Sequence, residues 1–253
     1  MLSKTELIKT YKGSALGPLW ALVKPSFTIF VYWFAFSIGI RGGKTETYAG
    51  VEISKFIFLL TGFIPWFFIQ ESILQGSKSI RNNRQYVTKV NFPVSTIMTF
   101  TSITRLYVHL ALTVIMYIIV LCAGFSPSIY NLQFFLYMPL MFFFFLFLTW
   151  STAPMSAFSA DFLNAVNSFM SGVFWLSGII YNSYTLEIDV LRRLMYLNPI
   201  NFFVNGYRNT FIYHRPFFAN QTELIVFAVE FLLVFILGIW NYNRLRKKLP
   251  DVL

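Results

Sequence analysis

Charge is scarce in this chain, and so are the residues from which most active sites are built. Of 253 residues, 12% are charged and two are histidine, against roughly 25% charged in an ordinary soluble domain. Cys122 is the single cysteine and lies inside an apolar run, so it can form no internal disulfide and matches no metal-ligand spacing. His109 and His214 are isolated, and Asp161 has no acidic neighbour. Glu187 and Asp189 stand beside Arg192 and Arg193, which reads as ion pairing. Membrane-embedded transferases and metalloenzymes need clustered carboxylates or histidines to hold a metal or phosphate. No such cluster, and no Ser/His/Asp arrangement, can be argued from spacing. The expectation is no catalytic residue and no metal site.

A nucleotide loop is missing as well. GIRGGKTE, Gly39 to Glu46, resembles a phosphate-binding loop, but G-x-x-x-x-G-K-[ST] requires glycine where Ile38 stands. The segment also follows an apolar span and not a strand. If ATP is used, a partner hydrolyses it.

What is abundant is apolar. The chain is 57% hydrophobic, and from Arg105 to Asp161 only His109 titrates near neutrality. A soluble core this small cannot absorb such a run, so the expected class is an all-α polytopic membrane protein. A helix of about 20 apolar residues crosses a bilayer. Six stretches qualify: Leu19–Ile40, Ser54–Ile73, Ser95–Phe125, Leu132–Ala153, Phe162–Tyr181 and Leu224–Tyr242. Pro65 predicts a kink in the second. The third is overlong, and Leu106–Phe125 could cross alone with Ser95–Thr104 as a helical extension. The first stretch is long enough to stay in the membrane and shows no small-residue cleavage site after it, so no cleavable signal peptide is expected.

The net charge of +10 follows from loops, not from nucleic-acid binding. Lys4, Lys9, Lys12, Lys24, Lys78, Arg81, Arg84, Lys89 and the Arg244–Lys248 cluster fall on one side. Arg41, Lys44, Lys55, Arg192, Arg193, Arg208 and Arg215 fall on the other and are partly offset by Glu46, Glu52, Glu187, Asp189 and Glu223. The heavier positive side faces the cytoplasm, which places both termini there. Residues 2–15 put Leu7, Ile8, Tyr11 and Ala15 on one helical face, suited to an interface helix over residues 1–16, although Lys4 interrupts that face. A solvated tail is the alternative.

Two loops exceed what a connector needs. Leu74–Val94 is basic and cytoplasmic. Residues 182–222 lie outside and carry a helix signal: Asn198 as N-cap, Pro199 at the first helical position, then Ile200, Phe203, Val204, Tyr207 and Phe211 on one face. Such a helix should lie in the interface or dip into the membrane. Within spans, Arg105 and Glu230 are ionisable; a structural pairing is the plainer reading and transport coupling the other. The aromatics Phe30, Trp33, Phe34, Phe174 and Trp175 either pack or line a path on which sugar rings stack.

The wording of three collinear blocks is similar to the type-2 ABC exporter permeases of O-antigen, capsule and teichoic acid. They are YKGSALGPLWALVKP at the start, LTGFIPWFFIQESILQGSKSIRNNRQYVTKVNFP from Leu60 to Pro93, and LNPINFFVNGYRNTFIY from Leu197 to Tyr213. One departure is Ala160 before Asp161, where that family often has arginine, so this position cannot make that arginine's contact. The resemblance implies a homodimer working with two copies of an ABC ATPase, with ATP and Mg on that partner and no cofactor on this chain. It implies that Ser77, Lys78, Arg81, Arg84 and Lys89 couple to the ATPase, and that Asn198, Pro199, Tyr207 and Arg208 belong to an outer re-entrant gate. The cargo would be an undecaprenyl-linked glycan or teichoic acid, and the outer arginines weakly favour an anionic one. A permease for a small drug-like or haem-related substrate and a membrane enzyme acting on lipid-linked sugars are the alternatives.

Overall fold

The computed structural model describes residues 2–39, 45–88 and 92–252. Helices account for nearly all regular structure: α1 Leu2–Thr10, α2 Trp20–Phe34, α3 Lys55–Asn82, α4 Arg84–Thr88, α5 Val94–Cys122, α6 Phe134–Phe158, α7 Ala160–Trp175, α8 Asp189–Leu194, α9 Pro199–Arg208, α10 Gln221–Leu245 and α11 Leu249–Val252. A 3-10 turn, Gly17–Leu19, precedes α2 and a π turn, Ala35–Gly39, extends it. Five of these helical segments are long and apolar enough to cross a membrane: Gly17–Gly39, Lys55–Asn82, Val94–Cys122, Ile129–Phe158 and Gln221–Lys248.

The expected fifth stretch, Phe162–Tyr181, differs. Its helix, α7, stops at Trp175 after 16 residues, about 24 Å at helical rise. Ser159 caps its start by accepting from the Phe162 amide at 3.2 Å, and Asp161 sits in the first turn, where a carboxylate suits the helix dipole. The chain from Leu176 to Asn182 then turns irregularly. The loop expected after Ile73 differs too: α3 continues unbroken to Asn82, with Pro65 inside it.

The all-α expectation also missed a small antiparallel hairpin, β1 Thr45–Tyr48 and β2 Val51–Ser54. Its two-residue turn, Ala49–Gly50, has positive φ at both positions (54° and 78°), the mirror-image turn that matches strand twist. The hairpin lies at the start of α3 and marks one end of the bundle; α1 and α4 mark the other.

The core is aromatic. Phe202 stacks on Phe227 at 4.0 Å with rings 6° apart, and Phe144, Phe145 and Phe203 surround them, joining α6, α9 and α10. Helices α6 and α10 approach backbone to backbone at Gly238, where a Cβ would stand 2.4 Å from the Phe147 carbonyl oxygen. Close approach through glycine is how membrane helices gain packing without a hydrophobic driving force. At the α1–α4 end a second cluster joins Ile80, Val87, Ile97, Met98, Phe100, Ala153, Ala157 and Leu249.

Candidate functional site

Residues 176–223 form a polar assembly inside the hairpin end of the bundle. Asn198 caps α9 by accepting from the Ile200 amide at 3.0 Å, and Pro199 occupies the first helical position. Asn198 also donates to the Leu176 carbonyl (3.1 Å) and to Ser177 Oγ (2.9 Å), tying the start of α9 to the end of α7. From Ile200 to Tyr213, through α9 and the π turn that follows it, every residue is buried. The apolar face expected from spacing is present, but the polar residues between are buried as well, and the side chains of Asn201, Asn205 and Arg208 find hydrogen-bond partners there.

Arg208 is the largest fully buried side chain. Its guanidinium donates to the carbonyls of Gly178 and Ile179, each at 2.6 Å, and to that of Phe58 at 3.4 Å. It also lies 3.6 Å over the Phe58 ring. The irregular turn after α7 leaves carbonyls without helical partners, and the planar fork of one arginine satisfies those of Gly178 and Ile179. Gly62 makes room: a Cβ there would stand 2.6 Å from Arg208 Nη2 and 2.8 Å from the Ile179 oxygen. Tyr207 meets His109 Nε2 at 2.6 Å, so His109 is not isolated in space.

Sequence reasoning missed Glu223, which it counted only as an outer-side acid. The carboxylate is 4% exposed and accepts from Tyr184 Oη (2.6 Å), Asn201 Nδ2 (3.2 Å) and Asn205 Nδ2 (3.1 Å). The available signal was Asn201 and Asn205 at i and i+4 on one helix, which puts two amides on a single face. Burial, and next the Glu223 charge, raise Tyr184 well above its ordinary pKa, which keeps it a phenol and a donor. Above this layer the hairpin closes the end: Lys55 pairs with Glu46, Arg215 donates to Tyr48 Oη, and Tyr48 stacks on Tyr184 at 5.2 Å.

At the opposite end, the expected coupling residues separate. Ser77 is fully buried and donates to Thr152 Oγ1 at 3.0 Å, so it joins α3 to α6 and offers a partner no surface. It belongs to the helix face beside Gly76, where α3 presses on Thr149. Arg81 is half-buried and reaches the Ala157 carbonyl at 3.4 Å. Lys78 is half-buried and Arg84, on α4, is exposed. Lys89 lies outside the described residues. Leu249 of α11, fully buried, fills the cluster beneath α4.

The aromatics divide similarly. Phe30, Phe34 and Trp175 are exposed; Trp33 packs between Phe30 and Phe56 at 5.9 and 6.0 Å. Phe174 is buried against Tyr32, Phe63 and Trp66. Phe174 and Trp175 also border a cavity of about 320 Å³ between α2, α3 and α7, with Tyr32, Phe67, Gln70 and Ser171. The exposed surface of α7 is mixed: Asp161, Asn164, Ser168 and Ser171, spaced three or four apart, alternate with exposed Ala165 and Phe169 and run up to Trp175. Arg105 pairs with Glu71 at 3.5 Å, not with Glu230.

Residues 1–212 match the ABC-2 type transporter family. The chain is 26% identical over 216 residues to the O-antigen export system permease protein RfbA of Myxococcus xanthus, covering 85% of this chain and 80% of that one. It is 22% identical over 258 residues to the O-antigen export system permease protein RfbA of Klebsiella pneumoniae, covering all of this chain and 93% of the relative. Membrane-length helices, a polar assembly that closes one end of the bundle and a family match over most of the length agree: the chain is a multi-pass membrane protein belonging to the ABC-2 type transporter family.

Proposed function

We propose that the chain is the membrane subunit of an ABC exporter that carries a lipid-linked cell-surface polysaccharide across the bacterial cytoplasmic membrane, both termini inside. Two copies work with two copies of a separate ATPase subunit, which binds the ATP and Mg. The names of its relatives support a glycan cargo, with O-antigen, capsule or teichoic acid on an undecaprenyl carrier as the specific candidates. The observation that carries the reading is the outward face of α7. Asp161, Asn164 and Ser168 are exposed on the single chain, and polar groups set against hydrocarbon are costly. Two such faces turned toward each other enclose a polar path, with Phe30, Phe34 and Trp175 offering rings for sugars to stack on.

The drive reaches the far end through α3. This helix of 28 residues, about 42 Å long, runs from the α4 surface to Phe58 and Gly62, where Arg208 holds the 176–223 assembly. A push on Lys78, Arg81 and Arg84 during ATPase closure therefore bears on the contacts of α9, which acts as a re-entrant gate at the outer end.

Co-purification with the ATPase encoded beside it tests the reading. A two-plus-two complex whose ATPase activity rises with a lipid-linked glycan supports it, and Arg84→Glu should break the coupling while the chain still folds. A chain that binds no ATPase, or one that turns over lipid-linked sugar alone, refutes it. A small apolar cargo is the second reading, favoured by an apolar cavity of about 900 Å³ lined by Phe144, Leu148, Met170, Leu191 and Val234; stimulation by such a compound and not by glycan would select it.

A further inference from the structure

At the α1–α4 end, a cavity of about 530 Å³ opens between α1, α2, α3 and α5. Its lining is charged where a crevice facing hydrocarbon should be apolar: Lys24, Glu71 and Arg105, with Glu6, Tyr11 and Gln70 around them. The Arg105 side chain is 9% exposed, and one terminal nitrogen meets Glu71 Oε2 at 3.5 Å. Its Nε–H has no hydrogen-bond acceptor among the described residues. Glu71 is 46% exposed, so the long contact is an open one and does not satisfy the guanidinium. Glu6 is already engaged, accepting from Thr101 and Thr104 of α5, which fixes α1 as one wall.

A buried guanidinium with an unused Nε–H lacks an acceptor, and a phosphate oxygen pair fits the arginine fork. Lys24 on α2 brings a second cation to the same space, beside Val23 and Phe27, which are exposed where acyl chains would run. We propose that this cavity binds the phosphate-bearing head group of a lipid in the adjacent leaflet. The phosphate takes the Arg105 guanidinium and the Lys24 ammonium, and Glu71 takes an ammonium or hydroxyl of the same head group. Two bases beside two acids suit a zwitterionic or hydroxyl-rich head group better than a bare anion. The proposal goes beyond export: it requires only that the chain sits in a bilayer.

Native mass spectrometry of the full chain in detergent tests it, with phosphatidylethanolamine, phosphatidylglycerol, undecaprenyl pyrophosphate and phosphate-free diacylglycerol offered separately. A phosphate lipid should be retained and diacylglycerol should not. Arg105→Gln and Lys24→Gln should each lower retention at least tenfold, with Arg105→Lys between. Preference for a phosphatidyl lipid identifies a bilayer-lipid site and leaves the export reading untouched; preference for the pyrophosphate identifies a carrier site. Equal retention of diacylglycerol overturns the proposal. So does unchanged retention in Lys24→Gln, an exposed position, whether or not Arg105→Gln folds.

Discussion

Replacing Arg208 with methionine should release residues 176–186 from α3 without unfolding the bundle. The side chain donates two bonds of 2.6 Å and one of 3.4 Å to main-chain carbonyls. An acceptor left unpaired and buried costs about 1–3 kcal/mol in soluble proteins, whereas hydrogen bonds within membrane proteins average nearer ~0.6 kcal/mol. Two strong bonds between those limits, plus a contact with the Phe58 ring of about 1–2 kcal/mol, less the relief of no longer burying a charge, leave about 2–4 kcal/mol. At a factor of ten per 1.4 kcal/mol, amides of the segment that open locally should exchange with deuterium about 30- to 700-fold faster. Arg208→Lys should fall between, because a point charge cannot bridge two carbonyls as the fork does. Gly62→Ala is the independent arm: its Cβ would displace the same guanidinium without altering Arg208. Exchange of 176–186 unchanged in both Arg208→Met and Gly62→Ala would refute the clamp.

Other expectations follow from the same geometry. Tyr184 has a raised pKa in the fold, so it stabilises fully below its unfolded value of 10.0 and loses that contribution as pH rises above it; thermal melts from pH 8 to 11 should fall less steeply at the alkaline end in Tyr184→Phe, at a cost of about 1 kcal/mol at pH 8. Leu249→Ala should cost about 2 kcal/mol in the cluster under α4, the low end for a buried leucine, and reduce glycan-stimulated ATPase activity more than basal activity. Asn164→Cys and Ser168→Cys, made after Cys122→Ser, should react with a water-soluble maleimide in membranes, while Phe174→Cys should not.

The spans were legible because bilayer thickness imposes a length that hydropathy reports directly. The first, second, third, fourth and sixth expected stretches each overlap a membrane-length helix of the structure for most of their length. The Asn198–Pro199 start of α9 was legible because cap chemistry is local. The early end of α7 was not: Phe162–Tyr181 carries no charged residue and no proline, and the carbonyls of the irregular turn after the helix are met by Arg208, 33 residues beyond Trp175 by the numbering. Glu223 was hidden for the same reason, since its partners come from two other segments, the turn at Tyr184 and helix α9. The coupling residues resemble a surface patch in sequence, but helical continuation of α3 turns Ser77 inward and leaves Arg84 out.

These two kinds of legibility bear on how the chain works. Features set locally, the spans and caps, make the rigid part of the bundle. Features set by distant contacts, Arg208 on the 178–179 carbonyls and Glu223 among Tyr184, Asn201 and Asn205, hold the part proposed to move. A gate built on hydrophobic packing alone would reseal through any similar surface, whereas hydrogen bonds of fixed direction permit few alternative closures. Each bond is also modest inside a membrane, so the assembly can be both specific when shut and within reach of the work transmitted along α3. That combination requires the polar groups to be buried in protein and not in lipid, which is where every side chain from Ile200 to Tyr213 lies.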